Sequence, residues 1–388
     1  MWFVRARPFD YMLAMSDIYA SLPVIGKHLE PLGAITAGGA FGVRVAPEMF
    51  ANSRRNRNPG AALQRRQDLA STNEVAAAAL REFVSPERLD VEWPTPDRLA
   101  PLIRGFAQRR RYLHRSAVQY GGAPTQRLDV WRRPDLTGPA PVCVFVPGGA
   151  WVHGGRLLQG YALMSHLAEM GWVCLSVEYR VSPHNRWPRH VTDVKAAVAW
   201  ARANVDRFGG DRDFVAIAGC SAGGHLAALT GLTPDDPDFH VDLPEDADTS
   251  VDAVVGIYGR YDWEDRSTPE RDRFVDFLER VVVRRRQSRH PEVFRNASPI
   301  ARVRADAPPF LIVHGSGDNV IPVEQARAFV HELRATSRST VGYLELPGAS
   351  HGFDMTDGAR TRSAATVIGK FLDEVHRSHA MSRAREVI

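Results

Sequence analysis

A serine at position 221 lies in a sequence pattern that could make it a nucleophile. The stretch "AIAGCSAGGHLAALTGL" begins as an apolar β-rich run, passes through Gly219-Cys220-Ser221-Ala222-Gly223 and continues as a helix of small residues. This is G-x-S-x-G in a strand-turn-helix context, where a sharp turn exposes the serine and excludes bulk two residues to either side. The pattern therefore predicts a nucleophile elbow at Ser221.

An acid and a histidine follow in the order that such a serine requires. A serine hydroxyl is a weak nucleophile until an imidazole takes its proton and a carboxylate orients that imidazole. "FLIVHGSGDNVIP" places Asp318 in a loop after a predicted strand, and "LELPGASHGF" places His351 in a loop after the next one. In isolation Asp318 could cap a turn and His351 could be a surface histidine. Together with the elbow, the order Ser, Asp, His favours a catalytic triad.

The elements that must position these side chains follow from hydrophobic periodicity. From about residue 125 onward, short apolar runs alternate with longer helical patterns, which is typical of βαβ units in a mostly parallel sheet. Helical periodicity is clearest over 190–208, 323–336 and 360–376. The predicted strands are 126–131, 142–147, 172–178, 214–219, 253–258, 310–314 and 341–346.

The first 115 residues are patterned differently. Apolar pieces precede the Arg- and Asn-rich "NSRRNRNPGAALQRRQD", and helical patterning resumes only around 75–83 and 98–112. We expect residues 1–115 to form a partly helical N-terminal extension, mobile or loosely packed, and residues 116–388 to form the catalytic domain. The uncharged stretch 31–43 could lie on a membrane surface, over a pocket or against the main domain.

Composition and charge argue against several classes of protein. The net charge of +4 is small for 388 residues, and 45 acidic residues are interleaved with 49 basic ones, so we expect no nucleic-acid partner. Cys143, Cys174 and Cys220 show neither a disulfide framework nor zinc spacing. Asp10 and Asp17 interrupt the N-terminal apolar stretch, so no signal peptide is predicted. Without a predicted membrane span, we expect a cytoplasmic protein or one peripherally associated with a membrane or the cell envelope.

These motifs together resemble the α/β-hydrolases of the hormone-sensitive-lipase-like carboxylesterase group, which includes bacterial esterases related to arylformamidases. The similarity runs from about Tyr120 to the last predicted helix. "VEYRVSPHNRWPRHVTDVKAAVAW" resembles the family's YRLAPE…P…D…A…W segment, and "FGGD" precedes the elbow strand as it does in the family. The resemblance implies an α/β-hydrolase fold, with a mostly parallel central sheet flanked by helices and a helical cap insertion around residues 260–300.

Within the cap segment, four apolar residues could line an acyl pocket or could pack in the helix core. They are Trp263, Phe274, Phe277 and Leu278.

The resemblance also implies an oxyanion hole in "FVPGGAWVHGG", where two glycine pairs flank a tryptophan after an apolar run. In the family this segment offers backbone N–H groups to the negative oxygen of the tetrahedral intermediate. Gly149 and Ala150 are the matching donors, with Ala222 as the third. Pro147 stands where the family usually has histidine, but this position is not one of the donors. Cys220 stands where these esterases often have aspartate.

The implied activity is hydrolysis of carboxylic esters with short to medium acyl chains, through an acyl-enzyme formed on Ser221. Such a reaction needs a small-molecule ester and neither a metal ion nor an organic cofactor. Two alternatives stay open at this point. One is amide hydrolysis of the arylformamidase type, and the other is ligand binding without catalysis on a hydrolase scaffold.

Overall fold

A computed structural model defines the architecture of the chain. The structure describes residues 8–20, 59–94 and 101–386, together with Leu22, Leu32 and Thr36. The stretch 31–43 was expected to contact a membrane surface, a pocket or the main domain. Except for Leu32 and Thr36, it lies outside the described residues.

The central sheet has eight strands in the described part of the chain. They are β1 (Leu113–Gln119), β2 (Arg127–Trp131), β3 (Ala140–Val146), β4 (Val173–Val177), β5 (Gly210–Cys220), β6 (Ala253–Ile257), β7 (Phe310–Gly315) and β8 (Val341–Leu346). Their order across the sheet is β1-β2-β4-β3-β5-β6-β7-β8. The pairs β1–β2 and β2–β4 are antiparallel, and every other neighbouring pair is parallel. The predicted mostly parallel sheet is confirmed.

Helices cover both faces of this sheet. They are α1 (Pro8–Ala20), α2 (Pro59–Leu80), α3 (Pro101–Tyr112), α4 (Tyr161–Glu169), α5 (Arg189–Asn204), α6 (Ala222–Leu232), α7 (Pro269–Phe277), α8 (Pro291–Asn296), α9 (Glu324–Thr336), α10 (Phe353–Thr356) and α11 (Gly358–Glu386). A π-helical turn, Leu278–Val282, follows α7 directly, and together with α8 it makes the β6–β7 connection helical, where the cap insertion was predicted.

Successive residues of β3 face two separate hydrophobic cores, because side chains alternate across a strand. Val144 packs with residues of α5 and α6 on one face, while Phe145 packs with residues of α4 and α11 on the other. Both side chains are fully buried. A sheet covered on both faces explains why the strands read as nearly continuous apolar runs.

Among the elements that differ from the sequence prediction are one strand and two helices. Strand β1 was not predicted, because it is an edge strand whose side chains are mostly exposed and therefore carry little apolar alternation. Helix α2 begins at Pro59 and not near residue 75, since Leu63, Gln64, Arg66 and Gln67 are exposed and three of these four side chains are polar. Helix α11 continues from residue 376 to Glu386, where exposed side chains no longer show a buried stripe.

The described parts of the N-terminal segment contact the hydrolase core. Helix α2 lies against α11 and β8, and its Leu80 is fully buried in the same cluster as Leu344. Helix α1 contacts α7, and Asp17 of α1 accepts a hydrogen bond at 2.6 Å from Arg280 in the π-helical turn that follows α7. The predicted boundary after residue 115 falls inside β1. The division into an extension and a catalytic domain stays a prediction.

Two leucines of α2 test whether this helix contributes to the stability of the folded core. We predict that Leu80→Ala lowers the free energy of unfolding by about 2 to 5 kcal/mol, because it leaves a cavity between α2 and the sheet. Leu63→Ala, in the same helix but at a 61% exposed position, is the control, with an effect within about 0.5 kcal/mol. Urea unfolding measures both. Equal effects at the two positions would contradict the packing of α2.

Candidate active site

Ser221 occupies the single residue between β5 and α6. Its backbone has φ 55° and ψ −120°, a conformation that residues other than glycine rarely adopt. Its N–H donates to the carbonyl of Ile257 at 2.9 Å, and its carbonyl accepts the first helical bond of α6 from the N–H of His225 at 3.1 Å. Both hydrogen bonds hold the turn, so the side chain projects at the carboxyl edge of the sheet.

The two glycines of the elbow are required by crowding. A Cβ atom on Gly223 would overlap the carbonyl oxygen of Val146, and one on Gly219 would overlap the backbone of Gly223. Neither neighbour can move easily, because both are main-chain atoms in the tightly packed core. This is the physical reason for the spacing of glycines around Ser221 in the sequence.

The structure brings Ser221, His351 and Asp318 together. The Nε2 atom of His351 lies 3.0 Å from the Oγ atom of Ser221, and its Nδ1 atom lies 2.7 Å from the Oδ2 atom of Asp318. Asp318 follows β7 and His351 follows β8, so neighbouring parallel strands deliver the two side chains to the same edge. The imidazole can therefore take a proton from the serine while the carboxylate fixes its tautomer.

The carboxylate of Asp318 is buried and fully hydrogen-bonded. Its Oδ1 atom accepts from the N–H groups of Val320 and Ile321, both at 2.8 Å. A second buried histidine, His314, places its Nε2 atom 3.3 Å from Oδ2. Burial alone would raise the pKa of Asp318, but the charge of His351 and the hydrogen bonds from both histidines outweigh burial and hold the pKa well below its usual range. Asp318 is thus ionised near neutral pH.

The predicted oxyanion loop has an unusual backbone. Gly149, Ala150 and Trp151 have φ values of 135°, 50° and 59°. The loop is closed by the N–H groups of Val152 and His153, which donate to the carbonyl of Gly149 at 3.0 and 2.9 Å. At this φ and with His153 so close, residue 149 must be glycine.

Three N–H groups at or beside this loop, those of Gly149, Ala150 and Ala222, lack an internal hydrogen-bond partner within the described part of the chain. The loop also lies beside the nucleophile, since a Cβ atom on Gly148 would be 2.9 Å from the Cβ atom of Ser221. The departure at Pro147 leaves the loop intact, because its carbonyl accepts a hydrogen bond from the Tyr179 hydroxyl at 2.9 Å.

Cys220 does not offer a competing nucleophile. Its side chain is 1% exposed and faces the core between the sheet, α4 and α11. Burial raises the pKa of its thiol well above the usual range. The thiol therefore stays protonated, and protonated thiols are poor nucleophiles.

The apolar residues of the cap segment lie in the core. Trp263, Phe274, Phe277 and Leu278 are each fully buried. The ring of Trp263 lies 4.9 Å from that of Trp151, the residue after Ala150. These contacts favour helix-core packing over an acyl pocket, and they place an aromatic cluster beneath the oxyanion loop.

Several residues at the site carry no recognisable sequence motif. They are His314 beside Asp318, and Gln159, Tyr258 and Asp354 behind the oxyanion loop and His351.

Among the residues that the structure describes, no group of three or more His, Cys, Asp or Glu side chains could hold a metal ion. In the same ranges, no helix combines the length and the apolar character needed to cross a bilayer.

Fold and site together define the α/β-hydrolase class, with a serine, a histidine and an aspartate joined by hydrogen bonds at the carboxyl edge of the sheet. The family model described as BD-FAE matches residues 128–333, which is more than half of the chain. The chain belongs to this family of α/β-hydrolase esterases.

Individual relatives agree with this assignment. Esterase LipC of Mycobacterium tuberculosis (strain ATCC 25618 / H37Rv) is 65% identical over 389 residues, covering 100% of this chain and 96% of LipC. The probable carboxylic ester hydrolase LipM of the same organism is 46% identical over 270 residues, covering 69% of this chain and 62% of LipM. The predicted carboxylic-ester hydrolase of the hormone-sensitive-lipase-like group is confirmed.

A solved structure shares the fold. The thermophilic esterase Est2 of Thermogutta terrifontis superposes with a TM-score of 0.56 at 24% sequence identity, covering 67% of this chain and 91% of that chain. The predicted α/β-hydrolase fold is confirmed.

Replacing the buried carboxylate tests the role of Asp318. We predict that Asp318→Asn lowers kcat by roughly 10⁴-fold, because the amide stabilises the wrong tautomer of His351 and cannot stabilise its cation. KM for a short ester should change little. The control is Asp306→Asn, at an exposed carboxylate paired with Arg304, which should retain wild-type turnover. A loss below tenfold in folded Asp318→Asn would assign the acid to another residue.

Proposed function

We propose that Ser221, His351 and Asp318 carry out the hydrolysis of a carboxylic ester, with Ser221 as the nucleophile. The observation that carries this proposal is the continuous pair of hydrogen bonds, 3.0 Å from Ser221 Oγ to His351 Nε2 and 2.7 Å from His351 Nδ1 to Asp318 Oδ2. The His351 side chain is 19% exposed, so the imidazole is not sealed from solvent.

The first half of the reaction forms an acyl-enzyme. The Oγ atom of Ser221 attacks the ester carbonyl carbon while its proton passes to Nε2 of His351. The carbonyl π electrons move to the oxygen, giving a tetrahedral intermediate. When this collapses, the bond to the alcohol oxygen breaks, and the Nε2 proton passes to that oxygen so that the alcohol leaves neutral.

The charge that develops in the intermediate is stabilised by backbone donors. The N–H groups of Gly149, Ala150 and Ala222 are the proposed oxyanion hole, supported by their lack of acceptors among the described residues and by the contact of this loop with Ser221. Fixed donors cost no reorganisation at the moment of reaction. The ionised Asp318 stabilises the imidazolium that forms on His351.

The second half uses water in place of the alcohol. His351 removes a proton from a water molecule, whose oxygen attacks the acyl carbon, and the same proton then passes to Ser221 Oγ as the acid is released. Amide hydrolysis would use the same atoms. Esters are the proposed substrate class because the relatives above are named esterases. A preference for short to medium acyl chains remains part of the proposal.

Removing the hydroxyl of Ser221 tests the proposal directly. We predict that Ser221→Ala abolishes turnover of p-nitrophenyl butyrate while the melting temperature stays near that of the wild type, because no other group at the turn can form the acyl-enzyme. Steady-state hydrolysis and circular dichroism are measured on the same preparation. Near-normal turnover by the folded variant would eliminate Ser221 as the nucleophile.

Introducing histidine at position 147, the residue that the family usually has there, tests the placement of the oxyanion hole. Because the proposed donors are backbone groups at other positions, we predict that Pro147→His changes turnover of a short ester by less than about tenfold, or about 1.4 kcal/mol. Hydrolysis rates are compared after thermal unfolding confirms that the variant is folded. A folded but inactive Pro147→His protein would show that the loop acts differently from this proposal.

A further inference from the structure

We propose that Gln159, Tyr258 and Asp354 form a hydrogen-bond relay that couples the oxyanion loop to His351, which makes all three positioning residues for ester hydrolysis. This inference rests on the proposed function of Ser221 and His351 and deepens it. None of the three residues lies in a motif that the sequence analysis used. Below we call them the relay.

The first member holds the oxyanion loop. The N–H of Gly148 donates to the Oε1 atom of Gln159 at 2.5 Å. Gly148 lies close to both Gln159 and the Ser221 side chain, as the atoms nearest to its hypothetical Cβ show. Gln159 therefore fixes the peptide directly before the proposed donors Gly149 and Ala150.

The second member contacts both Gln159 and the proposed general base. The Nε2 atom of Gln159 donates to the Tyr258 hydroxyl at 3.2 Å. The Tyr258 ring packs against the imidazole of His351, with centroids 4.7 Å apart. The backbone of Tyr258 is itself constrained, with φ 39° and an N–H that donates to the carbonyl of Val313 at 2.7 Å. A side chain held this firmly restricts the orientation of the His351 ring.

The third member ends the relay with a carboxylate. The Tyr258 hydroxyl donates to the Oδ1 atom of Asp354, which lies three residues after His351 in α10. Asp354 as a whole is half-buried, but its Oδ2 atom is enclosed. Every bond thus runs in one donor direction, from Gly148 through Gln159 and Tyr258 to Asp354, and successive bonds in such a chain strengthen one another.

Charge also links Asp354 to His351. Burial raises the pKa of Asp354, while the hydrogen bond from Tyr258 and the charge of His351 oppose that rise. Burial also raises the pKa of the Tyr258 hydroxyl and of the Cys220 thiol, so both stay protonated. The Tyr258 hydroxyl therefore keeps the proton that it donates to Asp354.

The first experiment removes one hydroxyl. Tyr258→Phe keeps the ring against His351 and breaks the relay, so kcat for p-nitrophenyl butyrate should fall roughly 5- to 30-fold with KM nearly unchanged. Tyr261→Phe is the matched control, since Tyr261 is equally buried nearby but packs on Phe329 outside the relay, and its kcat should match the wild type. Equal kcat values for the two variants would overturn the relay.

The second experiment is a double-mutant cycle on the two ends of the relay. The two substitutions are Gln159→Met and Asp354→Asn. In the structure, Gln159 and Asp354 each hydrogen-bond to Tyr258 and not to each other. If one relay couples them, the double variant should lose about as much kcat as the more damaging single variant. Independent structural roles would instead make the two losses multiply, and that result would overturn the proposal.

The third experiment distinguishes failure of the relay from failure of the proposed function. A phosphonate that labels Ser221 is applied to a separate sample of the wild type and of every variant. Wild-type protein that resists labelling would refute the proposed function itself, whereas labelled protein with uncoupled variants would refute the relay alone.

Discussion

The backbone of Ser221 turns from β5 into α6 within one residue, and every other part of the site depends on this turn. Its φ of 55° and ψ of −120° cost on the order of 1 to 3 kcal/mol. The surrounding structure supplies that energy through the bond to Ile257, the start of α6 and the close contact of Gly223 with the β3 carbonyls. With the turn fixed, the position of the serine hydroxyl is defined, and the loops after β3, β7 and β8 converge on it.

The protein also controls which groups near this turn are charged. Asp318 keeps its charge because two histidines and two backbone N–H groups compensate for burial. Beneath the oxyanion loop, burial lowers the pKa of His190 to about 4 and that of His225 to about 3, so both are neutral near pH 7. The rings of Trp151 and Trp263 that pack on His225 therefore contact a neutral imidazole. Charge can then develop where the backbone donors point without an imidazolium from either histidine below the loop.

Much of this organisation could be predicted from the sequence, for identifiable reasons. Strands β2 to β8 were predicted to within a few residues, because both faces of the sheet are covered and each strand is a short apolar run bounded by turns. The sequence placed Ser221, Asp318 and His351 after predicted strands, and the structure brings these three side chains together at the carboxyl ends of β5, β7 and β8. Strand β1 was missed because an exposed edge leaves no apolar pattern.

The relay residues were missed for a different reason. Gln159 and Asp354 lie 99 and 96 residues from Tyr258, their common partner, and each is an ordinary polar residue in its local context. Only the packed fold shows that they meet behind the oxyanion loop. Sequence patterns therefore identify groups that a strand or turn presents individually, whereas groups whose role depends on a distant partner require the three-dimensional structure.

Active-site titration with a p-nitrophenyl phosphonate, followed by peptide mass spectrometry, tests the central claim most directly. The account predicts release of one equivalent of p-nitrophenol per protein chain, loss of ester turnover in parallel, and a phosphonyl adduct confined to the peptide that contains Ser221. An adduct on any other residue, or full ester turnover by protein labelled at Ser221, would contradict it.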